Sequence, residues 1–369
     1  MKDIRAWLIS FFIIVSIILT SLAVLASAEE KRYYSAKAAT LYNPDTATFL
    51  YEKNADERLP MASTTKIMTA LVVLESLSLE QTVNVNPLAC GVEGSSIYLK
   101  PGDTLTVRDL LYSLLLRSAN DAALALAYEV ADSVEAFAEL MNARAESIGL
   151  KDTSFRNPHG LDSDEHYTTA KDLALIAAEA MNNADFLEIV STYKYSFPLG
   201  DSIRTVVNHN KLLKQYDGVI GVKTGYTKKC GRCLVGAARR NGITLITVTL
   251  DAPDDWRDHK SLFNFGFTTL KSTMISELVA TDYNLNVIGG KRENVSVTID
   301  NSSPLIGKND DVFTAEISID SFISAPVKKF ETLGEIYIYK NGELYETRKL
   351  ISNESVERTI DKSLLDLFK

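Results

Sequence analysis

Apolar residues return along this chain at two different periods, and the change of period divides it. Beyond Ser63, the residues Ile67, Met68, Leu71, Val72 and Leu74 recur at helical spacing, so a helix is predicted to begin near Ser63. Ahead of it, Leu41 to Glu52 predicts a hairpin with Asn43-Pro44-Asp45 as its turn. Thr106-x-x-Asp109 precedes Leu110, Leu111, Leu114 and Leu115, and Thr169-x-x-Asp172 precedes Leu173, Ile176 and Ala177. Both have the spacing of a capping box, which ties off the unpaired N–H groups of a helix start. Residues 106–185 are therefore expected to be rich in helix.

The texture then turns to strand. Val219–Val222, Leu234–Ala238 and Ile243–Leu250 are short apolar runs, and Asn241-Gly242 between the last two predicts a tight hairpin, because a type I′ turn needs positive φ at both central positions. A helix is expected over about Lys260–Thr269. From about residue 275 the pattern is strand only, with alternation at Val295–Ile299, Thr314–Ile319 and Glu335–Tyr339 and a second tight turn at Lys340-Asn341-Gly342-Glu343. The fold class expected is α+β, followed by a small all-β domain.

Both ends of the chain differ from the middle. Lys2 and Arg5 precede an apolar run from Trp7 to Leu25, and Ala26-Ser27-Ala28 offers small residues for cleavage. This is the pattern of an export signal over residues 1–28; an uncleaved membrane anchor is the alternative, since the run approaches the ~20 residues that span a bilayer. At the other end Val356, Ile360, Leu364, Leu367 and Phe368 would share one helical face, an amphipathic tail over residues 356–369. Its acidic residues outnumber its basic ones, so its attraction to anionic lipid would be weak. The division expected is thus 1–28, 29–274, 275–355 and 356–369.

Composition narrows the function. A net charge of −9 argues against a general nucleic-acid binder, which needs a basic footprint. Four His and three Cys are too scattered for a zinc framework. His159 and His166 flank Asp162, Asp164 and Glu165 without tetrahedral ligand spacing, so they read as loop structure. Cys230-Gly-Arg-Cys233 has redox spacing but leads into a strand, whereas a reactive thiolate is favoured at a helix N-terminus. Buried free thiols are the reading for Cys90, Cys230 and Cys233.

Three short motifs carry candidate chemistry: Ser63-Thr-Thr-Lys66, Ser118-Ala-Asn120 and Lys223-Thr224-Gly225. Ser63 and Lys66 lie one turn apart on one face. A neutral serine hydroxyl is a poor nucleophile and needs a neighbouring base. A lysine serves if burial and nearby positive charge lower its pKa, and Lys223 is a candidate for that charge. Exposed N–H groups at a helix start would stabilise a developing oxyanion. Ser191-Thr-Tyr-Lys194 has the same spacing but precedes no apolar helix, and reads as a decoy.

The set resembles the penicillin-recognising serine enzymes, whose signature is SxxK, SxN and KTG. More narrowly it is similar to the low-molecular-mass D-alanyl-D-alanine carboxypeptidases of the penicillin-binding protein 5 type. Leu59-Pro-Met-Ala62, Gly94-Ser-Ser96, Leu99-Lys-Pro-Gly-Asp103, Asn157-Pro-His-Gly-Leu161 and Asp217-Gly218 support the likeness, which runs through nearly all of the mature chain. It implies an antiparallel sheet flanked by helices with a helical subdomain. It also implies release of the terminal D-alanine from peptidoglycan stem peptides without metal or organic cofactor, and β-lactams as covalent inhibitors. By the same resemblance Ser63 is the acylated nucleophile, Lys66 its base and Ser118 the proton relay to the departing amine. Asn120 orients the substrate amide. Lys223, Thr224 and Gly225 form an edge strand that pairs with the substrate, and the N–H groups of Ser63 and Tyr226 form the oxyanion hole. Arg257 falls where similar enzymes place a helpful arginine, and His209 where one relative has arginine. Similar enzymes often end in an amphipathic helix on the outer face of the membrane. Two rivals stand beside this reading. A β-lactamase would need a deacylating glutamate, for which Glu165 lies in the right stretch but without Glu-x-x-Leu-Asn. A catalytically idle envelope protein would bind peptidoglycan through its β domain.

Overall fold

The computed structural model describes residues 34–299, 301 and 303–359. The expected export signal lies outside them, as do residues 360–369. In chain order the first elements are β1 (Ala38–Asn43), β2 (Thr48–Lys53), a 3-10 turn over Ala62–Thr65 and α1 (Lys66–Ser76). Next come β3 (Thr82–Asn84), β4 (Thr104–Thr106), α2 (Val107–Leu116), α3 (Asn120–Val130), α4 (Val134–Ile148), α5 (Ala170–Met181) and α6 (Ala184–Ser191). The hairpin β5 (Lys194–Leu199) and β6 (Ser202–Val207) leads through one-turn α7 (Leu212–Gln215) to β7 (Val219–Thr227), β8 (Gly231–Arg240), β9 (Ile243–Leu250) and α8 (Asp255–Thr269).

β9 is the middle strand of a five-stranded antiparallel sheet ordered β2-β1-β9-β8-β7. It is buried along its whole length because α5 packs on one face and α8 on the other. That explains its run of β-branched residues in place of an alternation. Thr247 and Thr249 point their hydroxyls at the α8 residue His259, at 2.6 and 2.9 Å. Burial pushes that imidazole down to about 3, so it stays neutral and its two nitrogens are satisfied within the core. β7 is left at the sheet edge, with backbone groups free to pair with an incoming chain.

α1 is apolar on almost every side, with Ile67, Met68, Ala70, Leu71 and Val73 all buried. Such a helix belongs in the middle of a bundle, and α2 to α6 surround it. The Thr106–Asp109 box forms as the sequence predicts: Thr106 Oγ1 accepts from Asp109 N at 3.1 Å and Asp109 Oδ2 accepts from Thr106 N. At Thr169 only half of the box forms. Its Oγ1 accepts from Asp172 N, but Asp172 Oδ2 instead takes Thr153 Oγ1 and Asp152 N, which anchors the loop ahead of α5. α8 begins at Asp255, earlier than the apolar period suggests. Its first turn buries carboxylates, Asp255 on Arg232 and Asp258 on Ala36 N, which a hydrophobic pattern cannot reveal.

Beyond α8 the chain is strand-rich: β10 (Leu270–Thr273), β11 (Asp282–Ile288), β12 (Asn294–Ile299), β13 (Leu305–Lys308), β14 (Phe313–Ile319), β15 (Phe322–Ser324), β16 (Thr332–Lys340) and β17 (Glu343–Ser352). Six form a sheet ordered β14-β16-β17-β12-β11-β15, over a core that includes Val295, Val297, Ile336, Ile338 and Leu350. β10 and β13 pair separately. Val356, the first apolar position of the expected tail, is buried and bridges to Val327, so it belongs to this core and not to a membrane-facing stripe. Asn241-Gly242 and Asn341-Gly342 both turn with positive φ at each residue, as type I′ hairpins require.

Thr106→Ala removes the α2 cap and should lower stability by about 1 kcal/mol. The check is urea unfolding, where the midpoint falls while the slope stays unchanged.

Candidate active site

Ser63 lies in the 3-10 turn and Lys66 opens α1, so the motif straddles the junction of two helical forms. Ala62 before the serine takes a left-handed conformation (φ 45°), which only a surrounding scaffold sustains in a non-glycine residue. The motif's two threonines supply part of that scaffold. Thr64 Oγ1 donates to Met61 O at 2.6 Å and Thr65 Oγ1 to Ala62 O at 2.7 Å. Thr65 Oγ1 also accepts from His166 Nε2 at 2.7 Å, because His166 Nδ1 is itself the acceptor for Arg156 N. Gly160 presses on the same place: a Cβ there would stand 2.0 Å from Ala62 O.

The Lys66 ammonium is fully buried. Its Nζ meets Ser63 Oγ at 3.1 Å, Asn120 Oδ1 at 2.7 Å and His159 O at 2.5 Å. Burial pushes its pKa well below the ordinary lysine value, the Lys223 cation adds to this, and Asp121 opposes it. Burial likewise brings Lys223 down to about 7. His159 and His166, at about 3 and about 4 through burial and then repulsion from Lys66, stay neutral beside it.

The walls come from the other two motifs. Ser118 joins α2 to α3 with a left-handed backbone (φ 65°), a strained placement that turns it into the cleft. Asn120 begins α3 with both ends of its amide engaged: Oδ1 on Lys66, and Nδ2 donating to Glu93 O at 2.6 Å. Lys223, Thr224, Gly225 and Tyr226 lie in edge strand β7. A Cβ on Gly225 would stand 3.1 Å from both Met61 O and Ser63 N, so glycine lets the strand lie against the serine turn. Together these elements bound a cleft of about 550 Å³, whose lining includes Ser63, Ser118, Thr224, Gly225 and Tyr226. Lys66, Asn120 and Lys223 lie buried beneath it.

The remaining sequence candidates sort by environment. Arg257 is not in the cleft lining; its guanidinium pairs with Asp254 at 3.1 Å on the α8 surface. The arginine that does line the cleft is Arg232 on β8, held at 2.9 Å by Asp255 beside Trp256. Lys211 joins it there. Lys211 stands in no motif, and Arg232 only between the two cysteines of Cys230-Gly-Arg-Cys233, so sequence spacing gave no sign that either faces the cleft. His209 also lines the cleft and takes an N–H of Arg117 on Nε2. Glu165 points away, 72% exposed and paired with Arg156. Ser191 and Lys194 of the decoy are exposed, the serine bonded back to Glu188 O. Cys230 and Cys233 are buried free thiols 3.8 Å apart, while Cys90 is only half-buried. Among the described residues no cluster of His, Cys, Asp and Glu is placed to hold a metal ion. Asp121 went unnoticed in the sequence; its buried carboxylate accepts from Ser96 Oγ, Ile97 N and Leu99 N and so pins the loop that faces the cleft.

The comparisons agree with this geometry. The sequence profile of the D-alanyl-D-alanine carboxypeptidases matches residues 25–254, and that of the penicillin-binding protein 5 C-terminal domain matches residues 276–358. The chain is 33% identical over 337 residues to the D-alanyl-D-alanine carboxypeptidase DacF of Bacillus subtilis (strain 168), covering 88% of this chain and 87% of that one. It is 34% identical over 345 residues to DacC of Escherichia coli (strain K12), covering 87% and 84%. Among solved structures, the Streptomyces K15 DD-transpeptidase superposes with a TM-score of 0.62 at 38% identity, over 64% of this chain and 98% of that one. Penicillin-binding protein 5 of Haemophilus influenzae superposes with a TM-score of 0.65 at 25% identity, over 89% and 99%. With the profile match, the sustained identity and the buried lysine beneath a serine-lined cleft in agreement, the chain belongs to the D-alanyl-D-alanine carboxypeptidase family.

Proposed function

We propose that this chain removes the terminal D-alanine from peptidoglycan stem peptides through an acyl-enzyme on Ser63, with Lys66 as the base. One observation carries the assignment: the three neighbours of Lys66 Nζ. A neutral amine keeps two N–H donors and one lone pair. Asn120 Oδ1 and His159 O can only accept, so they take the two N–H groups. The lone pair is left for Ser63 Oγ, the one neighbour with a proton to give. Attack on the penultimate carbonyl then moves the Ser63 proton to Lys66 as the C–O bond forms. The backbone N–H groups of Ser63 and Tyr226 receive the oxyanion. Collapse breaks the peptide bond, and Ser118 passes its proton to the leaving amine while taking the one held by Lys66, which returns the lysine to the free amine. Water then hydrolyses the ester and regenerates Ser63. Thr224, Lys223 and Arg232 supply hydroxyl and positive charge for the substrate carboxylate. Arg257 would act there only if its pairing with Asp254 opened.

The β-lactamase alternative lacks support from Glu165, whose carboxylate is outside the cleft. A β-lactam adduct is accordingly expected to be long-lived. The apolar N-terminal run supports export, so the site would work in the cell envelope. Among the described residues no helix is long and apolar enough to cross a membrane. Trimming stem peptides would limit the donors for cross-linking, a role in wall shape or in spore cortex.

Intact-protein mass after penicillin treatment should rise for the wild type and not for Ser63→Ala; an adduct that persists in the variant refutes the nucleophile. Lys66→Ala should lower D-alanine release from diacetyl-Lys-D-Ala-D-Ala by about 10²–10⁴-fold, the usual contribution of a general base, while Lys194→Ala leaves it unchanged.

The pH profile offers an independent check. Attack needs the free amine, so kcat/KM falls on the acid side as the Lys66 ammonium forms. Lys223→Gln removes a cation that holds Lys66 down, so the Lys66 pKa rises and the acid limb moves to higher pH. An unmoved limb would mean that Lys66 is not the base.

Gly160→Ala should cost about 10²-fold in activity, as expected when a reacting group is displaced by about 1 Å. The new methyl drives into Ala62 O beside the nucleophile, and the rate of penicillin acylation measures the loss.

A further inference from the structure

A second cavity, of about 410 Å³, opens beside the catalytic cleft. Three stretches of chain pass from one to the other. Ser95 lines the first and Ser96 the second, Ser118 the first and Arg117 the second, and His209 lines both. Strand β6 closes the far side with Arg204 to Val207. The loop at 96–99 is rigid on the near side, because Ile97 N, Leu99 N and Ser96 Oγ all bond to buried Asp121, and Ser96 Oγ in turn accepts from Tyr98 N.

Two guanidinium groups line this side cleft, and neither forms an ion pair among the described residues, unlike Arg232, Arg240 or Arg257 nearby in sequence. Arg117 donates to His209 Nε2 at 3.0 Å. A guanidinium cannot accept, so this nitrogen is unprotonated. Burial, then Lys223 and Arg117, hold His209 down to about 4, so the ring is neutral and offsets none of the arginine charge. Arg204 Nε is buried with no hydrogen-bond partner. A cationic N–H sealed from both solvent and an acceptor is a costly arrangement, and an anion in the cavity that Arg204 lines would offset the charge of the same guanidinium.

We propose that Arg117 and Arg204 form a subsite for a carboxylate of the substrate peptide, set against the catalytic cleft across His209. Carboxylate is the chemistry that a planar guanidinium fork matches in two parallel bonds. A peptide lying in the main cleft brings that group to the cavity mouth. The inference rests on the peptidase reading of the main cleft. Two carboxylates qualify: that of the terminal D-alanine, which these arginines would share with Thr224, Lys223 and Arg232, and one borne further up the stem.

Four peptides separate the sources. One pair is diacetyl-L-Lys-D-Ala-D-Ala and the same peptide ending in a carboxamide. The other pair is L-Ala-γ-D-Glu-L-Lys-D-Ala-D-Ala and its counterpart with the glutamate carboxyl amidated. Release of the C-terminal residue gives kcat and KM for the wild type, Arg204→Gln, Arg117→Gln and Arg204→Lys. The wild type should favour the free carboxylate in one pair by about tenfold, mainly through KM, as a charge-assisted hydrogen bond would provide. Both Gln variants should shrink that preference to about twofold or less, while Arg204→Lys, which keeps the charge, retains more of it. Acylation of Ser63 by penicillin verifies that each variant is folded. Equal kcat/KM within both pairs for the wild type, or a wild-type preference undiminished in both Gln variants, overturns the subsite and leaves the peptidase reading intact. Failure of the wild type to release the C-terminal residue from any of the four, with no penicillin adduct on Ser63, overturns both.

Discussion

A lysine ammonium sealed into the protein interior is the constraint that organises this structure. Taking an ammonium out of water is expensive, and no carboxylate pairs with Lys66 directly to offset it. The fold meets that cost with two oxygen acceptors that cannot protonate the amine, and it surrounds the amine with histidines that burial keeps neutral. The result favours the uncharged amine, the form able to take a proton. Lys223, also buried, pushes in the same direction. The electrostatic strain in the resting site therefore presses Lys66 toward the form that can take a proton from Ser63.

That strain needs a stiff frame, and much of the surrounding chemistry supplies one. Thr64 and Thr65 tie the serine turn to its own backbone, and His166 locks Thr65. Gly160 lies so close to Ala62 that any side chain would collide, and at Gly225 a Cβ would press on the serine turn at 3.1 Å. Asn120 spends its amide on Lys66 and on Glu93 O, so it holds the lysine amine in place as much as it could address a substrate. Ala62 and Ser118 both sit in left-handed conformations that cost of order 1–2 kcal/mol each. Packing of the apolar helix α1 among five others is what sustains them.

The side cleft extends the same logic outward. Its two arginines form no ion pair among the described residues, and they line a cavity open to solvent. Charge without a counterion thus occurs twice, once buried, where it lowers a pKa, and once at a cavity, where we propose that it meets a carboxylate. The described residues after α8 add nothing to the lining of either cleft.

Most of the architecture was legible from residue pattern. The hairpins, the Thr106 cap, the apolar helix after Ser63 and the strands on either side of Asn241-Gly242 all rest on local rules that a sequence states openly. The order Ser63–Lys66, Ser118–Asn120, Lys223–Gly225 pointed to candidate chemistry only as a set, since each motif alone recurs without it, as Ser191–Lys194 does. What lay beyond reach depends on distant neighbours. The early start of α8 is hidden because its buried face carries carboxylates satisfied by Arg232 and Ala36. Arg232, not Arg257, lines the cleft because the register of β7 on β8 sets Arg232 opposite Tyr226. The lowered pKa of Lys66 and the neutrality of His159 and His166 follow from burial, a property of the packed whole and of no single stretch of chain. The sequence by itself determined which groups are candidates for the chemistry and roughly where the chain bends; tertiary packing decided which of them lose their water, and the direction of each pKa shift follows that loss.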